Sequence, residues 1–320
     1  IGYLLMSRAS TLGEFAVLMG MSGLFQPLYR VGADSMLADL IPMDRRADAY
    51  SILRMSNNIG VSLGPAIGGF IASASYTTAF FFASAGMLIY SLLVAFRARE
   101  TIPVMRGLGP GDKESGSGYG RVFGDRPYMA FILTLTLVQS ASALVWVLLG
   151  VYAKQNYGVA ENQYGLIPTT NALMVVFLQV LVTAVTKRRP PLLMMAAGAM
   201  FYAVGVGSVA FGTGFWGFWL SMIVITCGEL VLMPTSSTYA ANLAPPAMRG
   251  RYLSLYGLTW SLASGIGPIL GGYLNDQIAP QAIWYGGFVL GLASALGFLL
   301  LSRRNPALGS AGAANPPNPD

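Results

Sequence analysis

An all-α membrane protein built from two helical bundles is the fold class this chain predicts, on three observations. Apolar residues make up 54% of its 320 positions and charged residues only 10%, against roughly 25% charged in a soluble domain. Nine apolar runs follow one another, each about 20 residues or more, the length an α-helix needs to cross a hydrocarbon core of roughly 30 Å. And 33 residues from Ala38 recur without a gap 203 residues later, nine of them identical. Internal repeats of membrane helices are the usual build of secondary transporters, with the substrate site between the repeats.

Taken in order, the runs are 15–38, 49–72, 77–96, 128–153, 164–186, 192–211, 215–241, 252–274 and 282–301. Residues 1–6 read as the last turns of a tenth helix. Residues 1–97 are taken as the remainder of the first bundle. Between 98 and 127, Gly, Pro, Ser and mixed charge describe a flexible cytoplasmic linker. Residues 128–304 hold the six helices of the second bundle, and 305–320, without apolar periodicity, are expected to be a disordered tail. The second copy of the repeat is preceded by four apolar segments, the first by only 37 residues. The expectation is therefore about nine transmembrane helices in this sequence, with the first two to three missing.

Charge orients the helices. With alternating spans, Arg45, Arg46, Arg97, Arg99, Arg106, Lys113, Arg121, Arg126, Lys187, Arg188, Arg189, Arg249, Arg251, Arg303 and Arg304 share one side, and Arg8 and Lys154 the other. This positive-inside bias places the linker and C-terminus in the cytoplasm of a multi-pass cell-membrane protein. It also accounts for the net charge of +6, so nucleic acid is not expected as a partner. A single cysteine and no histidine leave no disulfide framework and no metal site in prospect. No nucleophile–base pair or phosphate loop appears, so neither an enzyme nor a cofactor is expected.

The motifs lie in the repeat. Gly60, Gly64, Pro65, Gly68 and Gly69 fall in one helix; Gly267, Pro268, Gly271 and Gly272 repeat most of the pattern. Small residues at i, i+4 and i+8 strip a helix face so that a neighbouring backbone can approach, and proline removes a hydrogen bond and bends the helix. Plain tight packing and a conformational seam between rocking bundles both fit.

This G-x-x-x-G-P-x-x-G-G helix resembles the antiporter motif in the fifth helix of drug/proton antiporters of the major facilitator superfamily. The run from Asp39 to Ala49 is similar to that superfamily's connection between helices 4 and 5. The resemblance spans the chain, numbered from a stub of helix 3 to helix 12, and implies a two-bundle alternating-access fold. The arginine that such antiporters carry early in helix 4 is Met19 here.

Glu229 is the acidic residue near the centre of a helix after the linker. A carboxylate at that depth is costly and is a functional-site hypothesis by default, and desolvation favours its protonation. It is the first proton-coupling candidate, and Asp34 the second. Gln26 is the repeat counterpart of Glu229. Arg30 and Asp34 are four residues apart and can pair; Arg54, a turn or so inside its helix, reads as snorkelling outward. Gln139, Ser142 and Trp146 form one polar stripe and Thr226, Glu229, Met233 and Ser237 another, with Tyr29, Asn171 and Gln179 on other helices. Of these, Gln26, Tyr29, Arg30, Gln139, Trp146, Asn171, Thr226 and Met233 are candidates to line a substrate cavity, although ordinary interhelical hydrogen bonding fits each stripe as well. The expected function is a secondary transporter, a proton-coupled exporter of small amphiphilic molecules or drugs, acting as a monomer in the bilayer. An importer of metabolites, sugars or peptides is one alternative, a non-transporting membrane remnant another.

Overall fold

The computed structural model describes residues 2–9, 11–97 and 118–304; at 19, 23–24, 26–28, 30, 61–66, 68–70, 72–74, 76 and 161–162 it describes the backbone alone. Most of the expected linker, 98–117, and the expected tail, 305–320, lie outside the described residues. The first bundle comprises α1 (Gly2–Met6), α2 (Leu12–Leu40), α3 (Arg46–Ala74) and α4 (Tyr76–Arg97). The second comprises α5 (Tyr119–Gly124), α6 (Arg126–Tyr157), α7 (Glu161–Tyr164), α8 (Leu166–Thr186), α9 (Pro191–Ser208), α10 (Phe215–Leu243), α11 (Arg249–Gln277) and α12 (Ala282–Arg304). Among the described residues, seven helices are long and apolar enough to cross a membrane. To these α2 and α3 add 29 residues each, about 43 Å at 1.5 Å per residue.

The helix ends follow from local chemistry. Thr11 and Glu14 close a capping box at the start of α2, satisfying amides that the first turn leaves without partners. Asp125 caps α6 by accepting from the Tyr128 amide at 3.1 Å. At the other end Gly158, at φ 65°, terminates α6 in the left-handed conformation that costs glycine nothing. The repeat is reproduced in the folded chain. The bounds of α2 and α10, of α3 and α11, and of the 3₁₀ turns Met43–Arg45 and Pro246–Met248 are all 203 residues apart. Segments 12–74 and 215–277, identical at 11 of 63 positions, thus share these boundaries, because apolar period and turn chemistry set boundaries while identity at single positions does not.

Residues 118–127, which the composition assigns to the linker, are not loop. Val122 of α5 is fully buried, the Tyr119 hydroxyl meets that of Ser254 at 3.4 Å, and Tyr252 donates to Asp125 at 2.8 Å. The segment is folded against α11 and the start of α6.

In the second bundle α9 lies between α10 and α12, and α6 packs on α11 and α12. The helices α9 and α10 approach backbone to backbone. A Cβ built on Gly228 would stand 2.6 Å from the Gly198 carbonyl oxygen and 2.9 Å from Phe201 Cβ. The glycine face of α11 also finds its partner inside this bundle. A Cβ on Gly267 would lie 3.0 Å from the Ser140 carbonyl and 3.2 Å from Ala143 Cβ, and one on Gly271 would strike Leu144 and Leu148, all on α6. In this conformation Gly267 and Gly271 let two helices of one bundle touch, the tight packing that their spacing also allows. Pro268 lies within the continuous helix α11, and both Gly272 and Gly60 face open space. At Gly64, Pro65, Gly68 and Gly69 the side-chain environment lies outside the described residues. The bundles meet where α3 runs along α8 and α10, and where α2 runs along α11.

Candidate functional site

Glu229 occupies the centre of α10, fourteen residues from the end that carries the basic loops. At roughly 1.5 Å per residue that is about 21 Å of helix. Three groups converge on it. Asn171 of α8 donates to Glu229 Oε2 at 2.6 Å and to Thr226 Oγ1 at 2.9 Å. Thr226, one turn back on α10, is fully buried. From the opposite bundle, Arg54 Nη2 donates to Glu229 Oε1 in an ion pair whose side chains are 15% and 13% exposed. Tyr202 on α9, itself buried, lies close enough to feel both charges.

Arg54 therefore turns inward, not outward as expected from the sequence. Its Cα lies only eight residues from the basic end of α3, and the long side chain makes up the difference in depth. A carboxylate held at mid-helix carries a desolvation cost that a guanidinium can offset; water at the helix end offers Arg54 nothing comparable. Sequence alone shows the stem length, not which end of it finds a charge.

The other candidates divide. Asn171 and Thr226 belong to the Glu229 cluster, and Met233, one turn from Glu229, is half-buried against the core. Gln139 is 6% exposed, with its Oε1 unpartnered. Gln179 is turned away, donating to the Leu230 carbonyl at 3.0 Å and to Thr183 at 3.1 Å, as ordinary interhelical hydrogen bonding does. Trp146 is 40% exposed and lines a separate cavity of about 460 Å³ with Gly150, Lys154 and Tyr164. Tyr29 stacks edge-on against Tyr90 with ring centres 5.4 Å apart. Asp34 accepts from the Tyr50 hydroxyl at 3.2 Å through its backbone carbonyl. The side chains of Gln26 and Arg30 lie outside the described residues.

A second set of contacts, at the basic end, holds the bundles together. Arg46 at the start of α3 is 5% exposed; it donates to Asn242 Oδ1 of α10 at 2.6 Å and to the Ala38 carbonyl at 2.6 Å. Arg249 at the start of α11, 8% exposed, pairs with Asp39 of α2. These two contacts are one contact repeated, since Arg46 and Arg249, and Asp39 and Asn242, are 203 residues apart. Lys187, after α8, adds an ion pair to Asp48 of α3 at 2.6 Å. Chemically, a proton on Glu229 would remove the charge that holds Arg54, loosening one of the bonds between bundles.

The sequence profile of the Major Facilitator Superfamily matches residues 1–141 and 131–318. The chain belongs to the major facilitator superfamily. Among similar proteins are an uncharacterized MFS-type transporter, YhjO, of Bacillus subtilis, 23% identical over 271 residues, and a Na⁺, Li⁺, K⁺/H⁺ antiporter of Planococcus maritimus, 22% identical over 290 residues. These matches cover 85% and 83% of this chain, which spans 66% of the length of each relative. Multidrug resistance protein 2 of Bacillus subtilis is 25% identical over 284 residues, covering 85% of this chain and 68% of that protein. Of solved structures, the human organic anion transporter MFSD10 superposes with a TM-score of 0.73 at 18% identity, over 94% of this chain and 74% of that one. A bacterial homologue of the iron transporter ferroportin in its outward-facing state gives 0.64 at 19% identity, over 94% and 77%. These superpositions show the fold. The chain is a member of a transporter family, multi-pass in the membrane.

Proposed function

We propose that this major facilitator protein is a proton-linked secondary exporter of small amphiphilic molecules, working by alternating access. The observation that carries the reading is the Glu229–Arg54 pair, a titratable contact at mid-helix depth joining the two bundles. Proton uptake by Glu229 would break it and help the bundles part; proton release would remake it. Export is supported by the antiporter-like glycine–proline helix and by relatives named as a multidrug resistance protein and a cation/proton antiporter. With three polar contacts joining the bundles at the basic end, the described conformation is read as outward-facing in a cell membrane, with the basic end cytoplasmic.

Proteoliposomes with an imposed pH gradient test this. Glu229→Gln is expected to abolish uphill export while substrate binding stays measurable, and Glu229→Asp to keep some coupling. Undiminished uphill export by Glu229→Gln would move the proton site elsewhere, with Asp34 next in line. Orientation has its own check. A cysteine at Asn156 should react with impermeant maleimide only from outside the cell, and one at Arg188 only from the cytoplasm; the reverse pattern would invert the topology.

A further inference from the structure

We propose that the cavity at the basic end, where α8, α9 and α10 meet the start of α3, is a phosphate-binding site. Thr238, in its wall, is nine residues from Glu229 along α10. The site stands apart from that carboxylate, whose role in coupling neither supports nor weakens it.

The inner wall carries hydroxyls that are not fully used. Thr238 is 8% exposed, yet its Oγ1 has no hydrogen-bond partner among the described residues. Buried hydroxyls are ordinarily bonded, so one left over beside a cavity asks for a guest. Thr186, equally buried, reaches the Thr183 carbonyl only at 3.4 Å, longer than a good hydroxyl contact. Thr183 accepts from Gln179 at 3.1 Å and keeps its own proton to give. All three threonines line the same space, and each can donate into it.

The rim adds charge. Lys187 and Arg189 both border the cavity. Lys187 also holds Asp48 at 2.6 Å, while Arg189 is exposed and makes no ion pair among the described residues. Pro191, the first residue of α9, is in the wall, and α9 starts without a side-chain cap. The positive end of an 18-residue helix therefore adjoins the space. One carboxylate in the wall, Asp44, opposes an anion; it is 58% exposed, with Arg45 4.0 Å away. Across 43–48 and 187–189, five basic residues stand against two acidic ones.

Size selects among anions. The cavity measures about 30 Å³, room for two or three water-sized groups at roughly 10–15 Å³ each. That admits the outer oxygens of one phosphate and neither a ring nor an acyl chain. Donors from α8, from α10 and from the rim surround it, as a tetrahedral oxyanion requires, and the Arg189 guanidinium matches phosphate oxygens two at a time. The first bundle closes one side with Met43, Asp44 and Ala47, so the site is whole while the bundles meet there. Free phosphate and the headgroup of an anionic lipid present the same oxygens to it.

The test uses the purified chain in maltoside micelles, which carry no phosphate. Radiolabelled inorganic phosphate is followed by equilibrium dialysis. Phosphatidic acid, with diacylglycerol as its phosphate-free counterpart, is followed by native mass spectrometry. Saturable phosphate binding, or retention of phosphatidic acid but not diacylglycerol, is expected. Arg189→Gln, at an exposed position, should weaken whichever probe binds by about tenfold, a loss of about 1.4 kcal/mol. Thr238→Val, which keeps the shape and removes the hydroxyl, should do the same. Arg188→Gln, next to the cavity but outside its wall, should bind as the parent does. Binding of free phosphate identifies a soluble source, and retention of phosphatidic acid without it a lipid source; either outcome carries the site. Binding of neither probe, undiminished binding by Arg189→Gln, or equal weakening by Arg188→Gln, the mark of surface charge alone, would each overturn the proposal.

Discussion

Replacing both repeat-related arginines, Arg46→Ala with Arg249→Ala, is expected to leave the basic end open in most molecules. Each is nearly buried and each reaches across the bundles. Loss of Arg249 takes from Asp39, 18% exposed at its side chain, its charged partner on the other bundle; removing one partner of a buried pair costs about 3–5 kcal/mol. Loss of Arg46 takes from Asn242 its charged donor on the other bundle, at about 1.5–3 kcal/mol for a hydrogen bond to a charged group. Moving a two-state equilibrium from 1:99 to 99:1 takes about 5.5 kcal/mol, so the two losses together suffice. The readout is a cysteine at Thr238, 8% exposed beneath this end, in a background with Cys227→Ser. Cytoplasmic maleimide should label it slowly in the parent and rapidly in the double variant. Equal rates would mean that the arginines are not what holds the end shut.

Gly228→Val is expected to remove most folded protein. The new Cβ would fall 2.6 Å from a carbonyl oxygen and 2.9 Å from Phe201 Cβ, and a backbone atom cannot rotate away as a side chain can. Overpacking ordinarily costs about 1–3 kcal/mol; here two helices must separate, at the upper end of that range or above. Gly257→Ala, in α11 with nothing within 4 Å, is the control, expected neutral or slightly stabilising because alanine favours helix by up to about 1 kcal/mol. Thermal melting followed by size-exclusion chromatography distinguishes them. A Gly228→Val protein as stable as its parent would show that α9 and α10 are not locked at this point.

Much of the fold was legible because it is written in periods. Apolar length gave the spans, and a nine-in-33 repeat foretold helix boundaries that coincide at the same offset. Glu229 was legible for a similar reason, since a carboxylate at mid-helix needs an explanation whatever surrounds it; Thr226 followed from the polar stripe it shares with Glu229, and Asn171 from being a polar residue inside an apolar run of another helix. What the sequence could not convey is direction. The i, i+4, i+8 glycines announce a bare helix face, not the helix that covers it, and for Gly267 and Gly271 that helix is α6 of the same bundle. Arg54 carries a stem long enough to point either way, and the charge that decides it lies 175 residues further on. Arg46 and Arg249 were sorted by sequence into orientation statistics. Their role as a matched pair emerges only once the repeat is seen as a contact.

That matched pair is not quite matched. Where one copy has Asp39 the other has Asn242, so one arginine meets a full negative charge and the other an amide dipole. The two fastenings at equivalent positions therefore differ in kind: Arg249 meets Asp39 in an ion pair, while Arg46 donates to neutral acceptors across the bundles, Asn242 Oδ1 and the Ala241 carbonyl, each weaker than a bond in which both partners are charged. Strain applied evenly across the basic end would be relieved first at Arg46, with α2 and α11 still held at Arg249. The end would open as a peel with a fixed starting edge, and a fold close to two-fold in its backbone would acquire a sense of direction from a single side-chain atom.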